Sequence, residues 1–262
     1  MDSDQPRAVT VHREQAGLFE NRYEQYERDP FYDSFTYSRR KLEQVLGHYL
    51  DALPDGAKLL DVGCGTGDLL RRLGGRFVLS GCDPADEMIE RARAANPGAF
   101  LTAASAEALP FEDDHFDVVL LIEVVRYLDD PAPALRELAR VLRPGGVALV
   151  TFAPRFTTTA YPLVNAITGR VRVPGMTDVR QHFHTARGAE RLLADAGFAH
   201  VEVNARYFGP FIYLNRISRP TASAALRSWE PMDDRLARVR SIRNVANLFV
   251  AAAWTPATST TS

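Results

Sequence analysis

The sequence predicts an open, mostly parallel α/β sheet with helices on both faces, and three observations carry that expectation. Short apolar runs recur through residues 57–153, most of them followed by a stretch with helical spacing. The first run opens onto glycines at 63, 65 and 67, the kind of tight turn by which a strand feeds a helix. The second run ends in an acid, Asp83. Strands alternating with helices in this way indicate βαβ units wound into one sheet.

Taken in order, residues 12–29 and 38–53 carry helical spacing, with Leu42, Val45, Leu46 and Tyr49 at intervals of three and four. Between them lies YERDPFYDSFTY, dense in aromatics and interrupted by Pro30. The strand and helix runs that follow are AKLLDV with DLLRRLG, FVLSGC with ADEMIERARAAN, FLTA alone, FDVVLLI with APALRELARVL, and GVALVTFA with ARGAERLLADAG. The RPGG at 143–146 is a turn signal with a structural role. HVEVNARY and NVANLFVAAAW read as two further strands, separated by about 35 residues where roughly 2 to 6 is usual. A second long irregular stretch begins at Pro154 and should leave the carboxyl edge of the sheet, where open α/β folds bind ligands. The expected division is a helical lid over 1–54 and a core over 55–253. Cap insertions fall at about 154–184 and 207–243, and a polar tail over 254–262 is read as disordered.

At 262 residues and 46% hydrophobic content the chain can bury a substantial core. Its net charge of -2 offers no broad attraction for nucleic acid or acidic membrane, so a small-molecule partner is expected. All but two of the 31 basic residues are arginine, the exceptions being Lys41 and Lys58. Two cysteines, Cys64 and Cys82, are too few for a disulfide framework and fit a reducing cytoplasm. No segment approaches the roughly 18 apolar residues of a membrane span. There is no HExxH or paired CxxC spacing, so no metal site is expected. A monomer or homodimer is expected.

The glycine turn reads DVGCGTGD, residues 61–68. A dinucleotide fingerprint would place a third small residue at position 68, which is Asp68. Acids at 61 and 68 bracket the turn, a setting unsuited to a pyrophosphate and suited to a ligand carrying positive charge. The stretch resembles the motif of class I S-adenosylmethionine-dependent methyltransferases. Residues 104–152, from ASAEALPF through LRPGGVALVTF, are similar to the branch that includes the ubiquinone and menaquinone biosynthesis enzymes. The resemblance implies a seven-stranded Rossmann-like sheet whose last strand is antiparallel. It implies S-adenosylmethionine as cofactor and methyl transfer as the activity. In its terms Asp61, Gly63, Cys64 and Gly65 form the cofactor turn, and Asp83, followed by Pro84, holds the ribose hydroxyls. Met88 packs beside adenine. Ser105, with Ala106 and Glu107, stands where the family has an adenine-facing Asp. Glu123 lies near the methyl group, as an ammonium ligand, a substrate contact or merely a helix N-terminal acid. Arg40, ahead of Arg39, is the expected partner of the methionine carboxylate.

Methyl transfer is an in-line displacement in which positioning does much of the work, and a base is needed only where the nucleophile must lose a proton. His182 and His184, in RQHFHT, are the candidates for that base; spaced by two, they share one side of an extended segment. Tyr26, Tyr32 and Tyr37 from the lid, Tyr161 and Tyr207 from the insertions, and Arg126 are the expected substrate contacts, with Tyr23, Phe31, Phe35, Phe208, Phe211 and Tyr213 adding to an apolar pocket. The function expected is methylation of an oxygen or nitrogen of a small apolar or aromatic acceptor in specialised metabolism. Methylation at carbon, a cyclase or binding protein that holds the cofactor without transfer, and a dinucleotide oxidoreductase are the alternatives.

Overall fold

The computed structural model describes residues 16–158, 163, 181–209, 211 and 218–257. Seven strands form one sheet: β1 (Lys58–Val62), β2 (Val78–Asp83), β3 (Phe100–Ala103), β4 (Phe116–Leu121), β5 (Leu142–Phe152), β6 (His200–Arg206) and β7 (Leu248–Trp254). Their spatial order is β3-β2-β1-β4-β5-β7-β6. Only β7 runs against its neighbours, pairing antiparallel with both β5 and β6. The strand order reverses at β1, which lies between β2 and β4. A crevice opens at such a switch point, beyond the carboxyl ends of the strands.

Successive strand residues supply two cores, one on each face of the sheet. Leu60, Val62, Val119 and Leu121 join Leu135 and Leu138 of α5 (Ala132–Val141) and Leu193 of α6 (Ala186–Asp195). Leu59, Val118, Leu120 and Leu149 join residues from the helices of the other face. These are Leu42 and Leu46 of α2 (Ser34–Leu50), Leu70 of α3 (Asp68–Leu73), Ile89 of α4 (Asp86–Ala95) and Leu226 of α7 (Arg219–Leu236). Burial on both faces explains why the central strands β1, β4, β5 and β7 read as apolar runs, while β3 and β6 at the two edges are only partly buried.

The lid begins with α1 (Ala16–Arg28). Helix α2 starts at Ser34, four residues before the spacing of its apolar positions suggested, because Asp33 and Thr36 form a reciprocal cap. The Asp33 carboxylate accepts the Thr36 N–H at 2.8 Å, and the Asp33 N–H donates to Thr36 Oγ1 at 2.9 Å. In the second insertion the sequence pattern indicated no helix, yet residues 219–236 form α7, which docks on α2. The contact is ionic: the Lys41 ammonium, with no exposed surface, lies 3.0 Å from Glu230, 2.7 Å from the half-exposed Asp234 and 3.8 Å from the buried Asp233. Asp233 also accepts the Tyr37 hydroxyl and the Phe208 N–H.

The tail starts later than expected: the Thr255 N–H donates to the Gly146 carbonyl and its hydroxyl to that of Arg143, so residue 255 is tied to the start of β5. Residues 258–262, and Tyr161 and Tyr213 of the insertions, lie outside the described residues. Among the described residues no helix is long and apolar enough to cross a membrane, and no cluster of three potential metal ligands occurs.

Removing one partner of a buried ion cluster strands the others. Lys41→Met is therefore expected to lower unfolding stability by about 3 kcal/mol, measured by chemical denaturation. Lys58→Met, at an exposed strand end, should stay within about 0.5 kcal/mol of the natural chain.

Candidate functional site

The site forms where β1 hands over to α3. The N–H groups of Gly63 and Cys64 both donate to the Cys82 carbonyl, at 2.7 and 3.0 Å, which ties the turn to the end of β2. The Asp83 carboxylate completes the link, accepting the Gly65 N–H at 3.1 Å and the Ala85 N–H at 3.0 Å. Two of the glycines are required for different reasons. At Gly63, with φ +76°, a Cβ would lie 2.4 Å from Val124 Cγ2. At Gly65, with φ +54°, a Cβ would meet nothing within 4 Å, so the backbone there borders open space into which a ligand can come close.

Asp61, at the end of β1, is 3% exposed and accepts no hydrogen bond among the described residues. Burial pushes its carboxyl up to about 7; the Arg39 guanidinium opposes that shift and the Asp83 carboxylate adds to it. Arg39 comes from α2 and is 7% exposed. Its Nε donates to Glu43 at 3.1 Å, while its Nη2 is buried without a hydrogen-bond partner. A buried acid and a buried cation thus act on each other across the glycine turn without bonding to each other. The ring of Tyr23 from α1 lies 5.1 Å from the guanidinium carbon of Arg39 and 5.8 Å from that of Arg72. The phenol of Tyr23 also feels the charges of Asp68 and Glu123, and it is raised mainly by burial.

Arg40, expected to serve the site, is directed elsewhere. Its Nε donates to Glu230 at 2.8 Å and its guanidinium lies over Phe31, so it belongs to the docking of α2 on α7. The sequence carried a signal for the alternative: Arg39 precedes Leu42 by three and Leu46 by seven, which puts it on the buried stripe of α2.

The remaining candidates divide between the cleft and the scaffold. Cys64 packs beneath the turn, 3.1 Å from where a Cβ at Gly81 would be, and burial raises its thiol far above the ordinary range. Met88 is buried with Ala85 apart from both main cores, and Pro84 is exposed beside them. The Ser105 hydroxyl donates to Glu107 at 3.0 Å, with both residues exposed and Ala106 buried between them. Glu123, just past β4, pairs with Arg126 at 2.7 Å. His182 contacts Asp129 through Nε2 at 3.2 Å, and its N–H donates to the Arg126 carbonyl. The His184 N–H donates to the Ala153 carbonyl, and its Nε2 is buried without a hydrogen-bond partner. Burial and the neighbouring His182 lower its pKa, so the ring is neutral at neutral pH. Both histidines therefore lie along the carboxyl end of the sheet.

The tyrosines are chiefly scaffold. Tyr37 is wholly buried, and Tyr207 packs edge-on against it at 5.4 Å. The Tyr26 hydroxyl donates to Glu43 at 2.7 Å, and that of Tyr32 accepts from Arg219. Tyr37 and Tyr207 thus fill the interior of the cap, where a substrate contact had been expected.

A family model described as a methyltransferase domain matches residues 60–150. An uncharacterised protein of Mycobacterium tuberculosis is 40% identical over 141 residues, 53% of this chain and 46% of its own length. The ubiquinone/menaquinone biosynthesis C-methyltransferase of Shewanella frigidimarina is 34% identical over 122 residues, 43% of this chain and 47% of its own. The chain spans about half the length of the curated relatives it matches. In fold it is similar to an S-adenosylmethionine-dependent methyltransferase from Thermotoga maritima, with TM-score 0.56 and 20% identity, covering 91% of this chain and 99% of that one.

The raised pKa of Asp61 has a consequence for stability. The folded chain holds this proton more tightly than the unfolded chain, whose value is 3.8, so the stability contributed below about pH 4 is lost as pH rises through about 7. Asp61→Asn, which keeps the shape without the charge, should raise the melting temperature at pH 8. That advantage should shrink at pH 5, as followed by thermal melts at both values.

Proposed function

We propose that this chain, which carries a class I S-adenosylmethionine-dependent methyltransferase domain, transfers the methyl group to an oxygen or nitrogen of a small, apolar or aromatic acceptor. One observation carries the reading. Asp61 is a buried acid with no hydrogen-bond donor, and Arg39 across the turn is a buried cation with an unsatisfied N–H. A ligand with both an ammonium and a carboxylate answers both needs, and leaving such groups unpaired is otherwise costly. The methionine end of S-adenosylmethionine has that pair of charges. The open space at Gly65 admits its close approach, and Asp83 lies at the end of β2, where an acid suits ribose hydroxyls.

Bound there, S-adenosylmethionine supplies an electrophilic methyl group on a sulfonium. What the chain must add is orientation, exclusion of water and, for an O–H or N–H acceptor, a place for the proton. Tyr23 and α1 cover the donor side through the two guanidiniums. His184 is the base we favour: neutral, with a buried Nε2 that has no partner among the described residues, on a segment that runs along the end of β5. His182 lies nearby and contacts Asp129, which is exposed. A carbon acceptor is the second reading, and the similarity to the quinone C-methyltransferase favours it.

Calorimetric titration tests the donor assignment. S-adenosylhomocysteine should bind and NAD should not; the reverse result would discard the assignment. Arg39→Met should weaken that binding at least tenfold, about 1.4 kcal/mol, while Arg40→Met should leave it within about twofold and lower the melting temperature instead. Incubation with methyl-labelled S-adenosylmethionine and a small-molecule extract, followed by mass spectrometry, then reports the acceptor and the atom methylated.

A further inference from the structure

Glu123 has φ +63°, one of three non-glycine residues with positive φ among the described residues. A left-handed glutamate is unfavourable and persists only where its surroundings hold it. Here the hold is visible. The Glu123 N–H donates to Thr151 Oγ1 at 2.6 Å, and Thr151 is a buried residue one position from the end of β5. The next residue, Val124, sends its Cγ2 into the space that a side chain at Gly63 would need. Gly63 in turn is bonded to Cys82, and Gly65, two residues on, to Asp83. A single hydroxyl on β5 thus reaches the glycine turn of β1 through the backbone of residue 123 and the side chain of residue 124.

We propose that Thr151 is a positioning residue for the donor site: by holding Glu123 in the left-handed conformation, its hydroxyl seats Val124 on Gly63 and fixes the turn that receives the donor. The inference rests on the reading of that turn as the S-adenosylmethionine site. The chemistry of the position is specific. Valine would fill the same volume but offers the Glu123 N–H no acceptor, whereas serine keeps the oxygen. Glycine at 123 takes positive φ without help, so in its presence the hydroxyl is no longer needed.

The test is a titration of S-adenosylhomocysteine into the natural chain, T151V, T151S, E123G and the double variant T151V/E123G. T151V should weaken binding by about five- to tenfold, T151S should bind within about twofold of the natural chain, and T151V should cost less than about twofold when added to E123G. A T151V chain that binds like the natural one, or a T151V cost equal in both backgrounds, overturns the inference. If the natural chain itself binds no S-adenosylhomocysteine, the donor reading falls and this inference with it; if it binds and T151V changes nothing, the inference falls alone. Should T151V prove too unstable to titrate, the double variant decides. Folding and binding as E123G does would support the proposal, and failure to fold would mean that Thr151 serves the fold by another route.

Discussion

The ammonium of Lys41, enclosed between α2 and three carboxylates of α7, sets how α2 is turned about its own axis. Consecutive residues on a helix point about 100° apart. Once Lys41 and Arg40 are committed to Glu230, Asp233 and Asp234, Arg39 is left facing the end of β1. Its guanidinium then carries Tyr23, and with Tyr23 the helix that covers the carboxyl edge. The cap is thus built from charge placed on one face of α2 and aromatic surface laid on the next. A buried ion cluster of this kind contributes little net stability compared with an apolar one, and its value is in fixing a single arrangement.

The interior around the glycine turn departs from the rule that buried polar groups are paired. Arg39 Nη2, the Asp68 Oδ2 and three nitrogens of Arg72 are buried without a hydrogen bond in good geometry, although Arg72 keeps ion-pair contacts with Asp68 and Glu43. Asp61 adds an acid held above its ordinary pKa. These groups gather across α2, β1 and α3; elsewhere among the described residues the buried side-chain atoms without a hydrogen bond are Gln181 Oε1, His184 Nε2 and the Tyr207 hydroxyl oxygen. Concentrated dissatisfaction of this sort is what a preorganised binding site would cost in the free protein, in keeping with the donor site proposed there.

The sheet was legible because its signals are local. The central strands β1, β4, β5 and β7 bury both faces and so read as apolar runs, and the glycine turn announces itself by composition. Asp61 and Asp83 were legible for the same reason, lying next to that turn. Helix α7 was not. Pro220 and Pro231 break its pattern, and of its residues only Ala222, Leu226 and Asp233 are buried. Its position depends on charges from a helix nearly two hundred residues earlier, which no window of sequence contains. The choice between Arg39 and Arg40 turned on helical phase, a signal present in the spacing to Leu42 and Leu46. The tyrosines misled because aromatic density predicts burial and is silent on whether a residue fills the cap or borders its cavity. Thr151 gave no signal, since the role proposed for it depends on the conformation of Glu123, just past the end of the neighbouring strand.

The placement of β7 between β5 and β6 also dictates an order of events as the chain folds. Among the described residues β6 pairs with β7 alone, so it has no place in the sheet until residues 248–254 have been inserted between it and β5. The contacts that fix α2, which join residues 189 and 193 positions apart, come under the same delay. Contacts so distant in sequence form slowly, because a long loop must close before they return any stabilisation. During synthesis the first βαβ units can assemble before α7 exists for α2 to dock on, leaving part of the apolar sheet face that the two helices cover open to solvent and to other chains. The glycine turn would thus be in place well before the helices that cover it, and its enclosure would be among the last steps in making the molecule.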